Sequence, residues 1–155
     1  MKAPGVLTAL VAALAMSFTP LAMAQEHGTK DDAKAMVDSA VEHVKKVGAE
    51  QAFKDFSADK ASWTKKDLYV IAFDMKGVCL AHGANEKLIG RNLMDMKDPN
   101  GVMLTAEATR MAETKGQGRV DYTWVHPQTK KLVDKSTYVR KLATYDGWIG
   151  VGIYR

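Results

Sequence analysis

The sequence has little cysteine, a small charge imbalance and only one long apolar run. Its single cysteine in 155 residues, Cys79, excludes an intrachain disulfide framework, and also a Cys-rich zinc site or an iron–sulfur cluster supplied by this chain alone. The 22 Lys and Arg against 18 Asp and Glu give a formal charge of +4. Because no run of basic residues exceeds two, nucleic acid is not an expected partner. The length fits one domain.

Catalytic and nucleotide-binding signatures are also missing from the sequence. It contains no G-x-S-x-G, H-E-x-x-H, G-x-x-x-x-G-K-[ST] or G-x-G-x-x-G. Cys79 and His82 have half of a haem-attachment spacing, but residues three apart on a strand face opposite sides. The four histidines, at 27, 43, 82 and 126, show no metal-ligand spacing. We therefore expect no enzyme, cofactor or metal site; an enzyme would need two titratable side chains within hydrogen-bond reach in one cavity.

The one long apolar run lies at the N-terminus. Residues 6–15 follow Lys2, Pro20 interrupts the segment, and Ala22 and Ala24 are the small residues that a signal peptidase requires. The pattern predicts a cleavable signal peptide of residues 1–24 and a mature domain of residues 25–155. We expect that domain in the periplasm, without stable membrane insertion after cleavage. The alternative is that the run is kept as an inner-membrane anchor.

Hydrophobic periodicity predicts an α+β fold with an antiparallel sheet of about five strands and helices packed on it. Cys79 is expected to be a buried apolar residue on a strand, the alternative being a reactive or intermolecular thiol. The predicted helices are residues 30–47, 49–56 and 102–115, with one further helical turn at 92–96. The predicted strands are residues 67–74, 78–82, 119–125, 132–143 and 148–154.

Aromatic and cationic residues are spread over the two predicted hairpins. Tyr122 and Trp124 alternate onto one face of a strand, Lys135 lies on the next strand, His82 ends another, and Arg91 follows its loop. A carboxylate that leaves water needs a positive donor to replace its hydration. The pattern therefore predicts a small anion pocket. The alternative is that Lys135 reaches solvent at the sheet edge while the aromatic residues form core.

Seven segments, in this order and spacing, resemble the single Cache domain family of extracytoplasmic sensor domains with a PAS-like fold. The resemblance covers about residues 30–154. The segments are DLYVIAFDMKG (67–77), LAH (80–82), LIGRNL (88–93), DPNG (98–101), GRVDYTW (118–124), KSTYVR (135–140) and WIGVGIY (148–154).

The resemblance implies a long N-terminal helix, a five-stranded antiparallel sheet and a ligand pocket between the sheet and its loops. It also implies a small organic acid as ligand, of the acetate, propionate, lactate or pyruvate class. Tyr138 matches a family tyrosine, but by alternation it points away from Lys135, so we expect it more in the core than in the pocket. The predicted ligand-binding residues are Lys135, Tyr122, His82, Trp124, Tyr138 and Arg91.

The sequence departs from the usual context of this family. Such domains commonly lie between two membrane spans of a chemoreceptor or a histidine kinase, and a second span and a signalling region are not found here. The expected role is therefore ligand binding, with the signal passed to a separate membrane-bound receptor or kinase. The alternative is a ligand-free interaction module that forms a homodimer through its N-terminal helix.

Overall fold

The computed structural model describes residues 26–155, so the predicted signal peptide lies outside the described residues. No helix within residues 26–155 has the length and apolar character needed to span a membrane. The elements in chain order are α1 (Lys30–Val47), α2 (Ala49–Ala58), α3 (Lys60–Trp63), β1 (Thr64–Lys65), β2 (Leu68–Asp74), β3 (Cys79–His82), a 3-10 turn (Glu86–Leu88), α4 (Leu104–Lys115), β4 (Gln117–Val125), β5 (Leu132–Lys141) and β6 (Gly147–Tyr154).

Helix α1 begins and ends where its sequence signals lie. The Thr29 hydroxyl accepts from the Asp32 backbone N–H, and the Asp32 carboxylate accepts from the Thr29 N–H in return. This reciprocal pair satisfies two N–H groups that the helix start would leave unpaired. Gly48, with a φ of 87°, ends the helix in a conformation that other residues rarely adopt. The predicted helix of residues 30–47 is confirmed.

The sheet is antiparallel, with strand order β1-β2-β6-β5-β4, and β3 also pairs with β2. The predicted α+β architecture is confirmed, with the two-residue β1 as the strand that the sequence did not reveal.

The helical turn predicted at residues 92–96 is wrong, and the turn lies at Glu86–Leu88 instead. The Asn92 side chain donates to the Lys76 carbonyl and accepts from the Met94 N–H, so it competes with helical hydrogen bonding.

Alternation along β2 divides the core into two layers. Leu68, Val70 and Ala72 face α1 and α2, whereas the intervening residues face α4. Cys79 is fully buried in the second layer, where burial raises the pKa of its thiol to about 12. A buried thiol that stays protonated is a poor nucleophile, so the structure favours the packing role. The residues of β2 in the second layer, Tyr69, Ile71 and Phe73, form one wall of the candidate site.

Candidate functional site

A small cavity lies in the second core layer, between the sheet, the start of α4 and the segment that joins β3 to α4. Its free volume for the centre of a water-sized sphere is about 10 Å³, roughly what one water molecule needs. Apolar side chains dominate the lining, with a few polar groups among them, as in many small-molecule sites. The lining residues are Tyr69, Ile71, Phe73, His82, Leu88, Leu93, Met96, Leu104, Thr105, Tyr122, Trp124 and Lys135.

Lys135 lies in this cavity with only 2% of its surface exposed, so the alternative that it reaches solvent is wrong. Its Nζ donates to the hydroxyl of Tyr69 at 2.7 Å and to that of Tyr154 at 3.2 Å, and it lies over both rings. Burial lowers the pKa of Lys135 to about 7, against a smaller raising effect of Asp67. Lys135 forms no salt bridge with any carboxylate among residues 26–155. The cavity therefore contains a buried amine without a counter-anion.

Gly152 on β6 makes room for the Lys135 side chain. It pairs with Thr137 on β5, and a Cβ at this position would overlap the Lys135 Cε and the Thr137 Oγ1. Its neighbour in the alternating pattern, Gly150, would meet the Thr137 methyl group in the same way. The Gly-Val-Gly segment thus allows a long polar side chain to lie flat against a central strand.

His82 supplies a second donor to the cavity. Its Nδ1 accepts from the backbone N–H groups of Ala84 and Asn85, at 3.2 and 3.0 Å. The ring proton is therefore on Nε2, which makes no hydrogen bond to another residue within 26–155. Burial, followed by the charges of Lys135 and Lys60, lowers the pKa of His82 to about 3. His82 is thus a neutral N–H donor at neutral pH.

Tyr122 and Trp124 form the wall contributed by β4. Tyr122 pairs across the strands with Lys135, and its hydroxyl shares a 2.7 Å hydrogen bond with the Thr137 Oγ1. Burial raises the pKa of Tyr122, so its phenol stays protonated. Trp124 packs edge-on against Tyr122 and is half-buried, so it lines both the cavity and an outer cleft.

Two of the predicted ligand residues lie outside the cavity. Arg91 is exposed, and its backbone carbonyl accepts from the Cys79 N–H beside β3. Tyr138 lies on the opposite face of the sheet, where its hydroxyl donates to the Gln117 Oε1 at 3.0 Å. Strand alternation explains Tyr138, because Lys135 and Tyr138 are an odd number of residues apart. The structure therefore brings Lys135, Tyr122, His82 and Trp124 together at one cavity and places Arg91 and Tyr138 outside it.

Three polar residues of the site were not found from the sequence. Tyr69 lies within a β2 segment that is buried on both faces, so no polar alternation marks it. Tyr154 ends β6, and its hydroxyl donates to the Val125 carbonyl at 3.0 Å. Thr105 lies in the first turn of α4, and no local sequence signal indicates that its side chain enters a cavity. Only the long-range packing of the chain shows that these residues share one site.

Comparison with known proteins identifies the family of this chain. The family model described as Single Cache domain 2 matches residues 7–155. The chain belongs to the single Cache domain family. The sensor histidine kinase MctS of Rhizobium johnstonii is 32% identical over 89 residues, which are 57% of this chain and 19% of that protein. The methyl-accepting chemotaxis protein McpP of Pseudomonas putida is 30% identical over 88 residues, 57% of this chain and 16% of that protein. The chain thus matches less than a fifth of the length of these relatives.

Solved Cache and sensor domains share the fold. A methyl-accepting chemotaxis protein from Vibrio parahaemolyticus has a TM-score of 0.69 at 29% identity, over 81% of this chain and 87% of that one. A periplasmic sensor domain of a chemotaxis protein has a TM-score of 0.65 at 29% identity, over 78% and 91%. A Cache chemosensory domain described for carboxylic acid recognition has a TM-score of 0.68 at 24% identity, over 80% and 91%, and shows the fold alone. This single Cache domain is therefore a sensory ligand-binding domain.

A cluster of His27, Asp67 and His126 lies next to the cavity in this Cache domain. The Asp67 carboxylate, 0% exposed, accepts from the Gly28 N–H at 2.8 Å and lies 2.8 Å from the His27 Nδ1 and 3.4 Å from the His126 Nε2. Burial opposes ionisation of Asp67, but these partners together lower its pKa. The sequence spacing of the histidines did not reveal this cluster, because His27 and His126 meet only through tertiary structure.

The hydrogen bonds of the cluster of His27, Asp67 and His126 do not fit a bound metal ion. The His126 Nδ1 accepts from the N–H groups of Gln128 and Thr129, at 3.2 and 3.3 Å. The proton of His126 is therefore on Nε2, the atom that faces Asp67. A metal-bound imidazole donates its other N–H to an acceptor, whereas here both backbone groups are donors. The cluster is a hydrogen-bonded carboxylate that ties the start of α1 to β2.

Proposed function

We propose that this domain binds a short organic acid of the acetate, propionate, lactate or pyruvate class in the cavity beside Lys135. It would do so in the periplasm, after removal of residues 1–24, and pass its state to a separate membrane-bound receptor or kinase. The observation that carries the proposal is the buried Lys135 amine, which has no carboxylate partner among residues 26–155.

The chemistry of the buried amine favours an anionic ligand. A cation removed from water is costly unless a counter-charge and hydrogen bonds replace its hydration. Two phenol oxygens accept from Lys135, but they carry no charge, and burial lowers the pKa of Lys135. A carboxylate beside the Nζ would supply the charge, and the His82 Nε2–H could donate to its second oxygen. The aromatic walls would then contact a short carbon chain.

The surface outside the cavity suits the approach of an anion. Tyr69, His82 and Trp124 separate the cavity from an outer cleft, which Lys87 and Lys130 also line. Both lysines are exposed. Positive side chains at the mouth of a cleft raise the local concentration of anions and their rate of association.

The small volume of the cavity suits a sensor. A space that holds about one water molecule must enlarge before a two- or three-carbon acid fits. Leu88, Leu93 and Met96 lie on the connection between β3 and α4, and Leu104 starts α4. These are the walls that can move without breaking the sheet. Binding would therefore shift this connection and α4, and a partner could detect the displacement.

One observation favours an enzyme as a second candidate. The Lys135 amine and the Tyr69 hydroxyl are 2.7 Å apart in one cavity. An amine with a pKa of about 7 could condense with the carbonyl group of a keto acid, with loss of water, to a Schiff base that borohydride reduces. However, burial raises the pKa of Tyr69 far above its usual value, so Tyr69 is not a base. Intact-mass measurement after incubation with pyruvate and borohydride separates the two readings. A stable adduct would support the enzyme, whereas an unchanged mass is expected from a binding site.

The proposed function is tested on protein purified from the periplasm of an expressing bacterium. Thermal unfolding is measured with acetate, propionate, lactate and pyruvate, and with the matching amines as controls. An acid present at 100 times its Kd stabilises the domain by about 2.7 kcal/mol, a Tm increase on the order of 10 °C. If no acid raises the Tm, the ligand-free interaction module is favoured, and sedimentation then tests for a homodimer.

A further inference from the structure

Thr105 presents an unpaired hydroxyl to the cavity. Its side chain is fully buried, and its Oγ1 is one of two buried side-chain polar atoms in residues 26–155 that have no hydrogen-bond partner. The other is an Arg119 nitrogen outside the cavity. Buried hydroxyl groups in folded proteins are nearly always hydrogen-bonded, so the Thr105 Oγ1 calls for an explanation.

The position of Thr105 in α4 explains why the protein itself does not pair it. Hydroxyl groups within helices commonly donate to the carbonyl four residues earlier, as Thr114 does to Arg110 and Ser57 does to Phe53. Thr105 is the second residue of its helix. The residue four positions earlier, Gly101, lies outside α4, so no aligned helical carbonyl is within reach.

Thr105 and Lys135 lie on opposite walls of the cavity. Lys135, Tyr69 and His82 project from strands, whereas Thr105 projects from α4. Met103, the residue before α4, makes no side-chain hydrogen bond to the start of the helix. A carboxylate held by Lys135 therefore leaves Thr105 beside a different part of the ligand.

We propose that Thr105 hydrogen-bonds an oxygen on C2 of the ligand, which makes the preferred ligand a 2-hydroxy or 2-oxo acid. This inference rests on the proposed function and narrows its ligand class. An acid without a C2 oxygen would leave the Thr105 hydroxyl unpaired in the complex, and such sites discriminate against a ligand that lacks the matching group.

The test compares acids that differ by one oxygen. Calorimetry measures Kd for lactate against propionate, and for glycolate against acetate, with the wild type and with Thr105→Val and Thr105→Ser. In the wild type we expect the hydroxy acid to bind about tenfold more tightly in each pair. Thr105→Val should bring both ratios close to one, because valine keeps the shape and removes the hydroxyl. Thr105→Ser should preserve the preference.

Thr109→Val is the matched control. Thr109 lies one turn further along α4, does not line the cavity, and accepts from the Trp148 Nε1 at 3.0 Å. Its substitution should lower the Tm and leave both affinity ratios unchanged. Equal binding of both acids by the wild type, or unchanged ratios in Thr105→Val, would overturn the role of Thr105 and leave the proposed function standing. Failure of every acid to bind the wild type would overturn both.

Discussion

His82, the last residue of β3, and His126, the first residue after β4, have the same local geometry but opposite electrostatic partners. Each Nδ1 accepts from the backbone N–H groups two and three residues later, so each ring presents its Nε2–H. The His126 Nε2–H meets the buried carboxylate of Asp67. The His82 Nε2–H has no carboxylate among residues 26–155, and its cavity holds the Lys135 amine instead.

The comparison shows what each site needs. Asp67 is a buried anion whose oxygens already have three donors, so its site is complete. Lys135 is a buried amine whose only hydrogen-bond partners within residues 26–155 are neutral phenols, so its site lacks a directly bound anion. Tyr154 contacts both the His126 ring and the Lys135 Nζ, which places the complete and the incomplete site against one shared side chain.

The largest expected effect on acid affinity comes from replacing Lys135, because its buried amine distinguishes the cavity from the Asp67 site. Lys135→Met should weaken acid binding at least about 100-fold, because the only buried cation of the cavity is lost. The thermal stability should be kept or raised, since an unpaired buried amine is replaced by an apolar chain. Calorimetry and thermal unfolding measure the two effects. Lys141→Met, an exposed position on the same strand, is the control, and wild-type affinity in Lys135→Met would refute the assignment.

Loss of the charge at Asp67 should destabilise the cluster that Asp67 forms with His27 and His126. Asp67→Asn removes the anion that the two imidazoles face, and we expect the free energy of unfolding to fall by about 2–4 kcal/mol. Urea unfolding at pH 7 measures this change. Asp31→Asn, at an exposed position in the first turn of α1, should cost less than about 0.5 kcal/mol. Equal stability of the two variants would mean that Asp67 does not hold the start of α1 in place.

Alanine at the two histidines should separate affinity from stability. His82→Ala removes the neutral donor of the cavity and should weaken acid binding about tenfold. His126→Ala leaves the cavity lining intact and should mainly lower the Tm, because Asp67 loses a partner. Calorimetry and thermal unfolding of both variants check this pattern. If His126→Ala weakens acid binding more than His82→Ala does, the assignment of a ligand-binding role to His82 and a structural role to His126 is wrong.

The smallest effects are expected at the two residues that the structure places outside the cavity. Arg91→Ala and Tyr138→Phe should each change acid affinity by less than about twofold. Calorimetry under the conditions used for Lys135→Met provides the measurement. A loss of tenfold or more in either variant would mean that the cavity described above is not the whole binding site.

Local signals in the sequence predict much of the fold. The capping pair at Thr29 and Asp32 and the glycine at position 48 define α1, and strand alternation places Tyr122 and Lys135 on one face. The same alternation correctly predicts that Tyr138 points to the face of the sheet opposite to Lys135. The error at residues 92–96 has a local cause too, since the Asn92 side chain bonds to the backbone around it.

The remainder of the site depends on contacts between residues far apart in the chain. Tyr69 and Lys135 are 66 positions apart, and His27 and Asp67 are 40 apart. Tyr69 lies in a strand buried on both faces, which carries no alternation that would orient it. The unpaired state of the Thr105 hydroxyl is a property of the packed cavity. No spacing rule within one segment could reveal either residue.

The most direct test of the account is an NMR titration of the Lys135 amine with and without bound propionate or lactate. The account predicts a pKa near 7 in the free domain, well below the ordinary lysine value. A bound carboxylate should raise it, because the anion stabilises the ammonium form. Binding would then take up protons above pH 7, and affinity should fall as the pH rises through that range. A lysine that titrates near its ordinary value in the free domain, or whose pKa the acid does not change, would contradict the central claim.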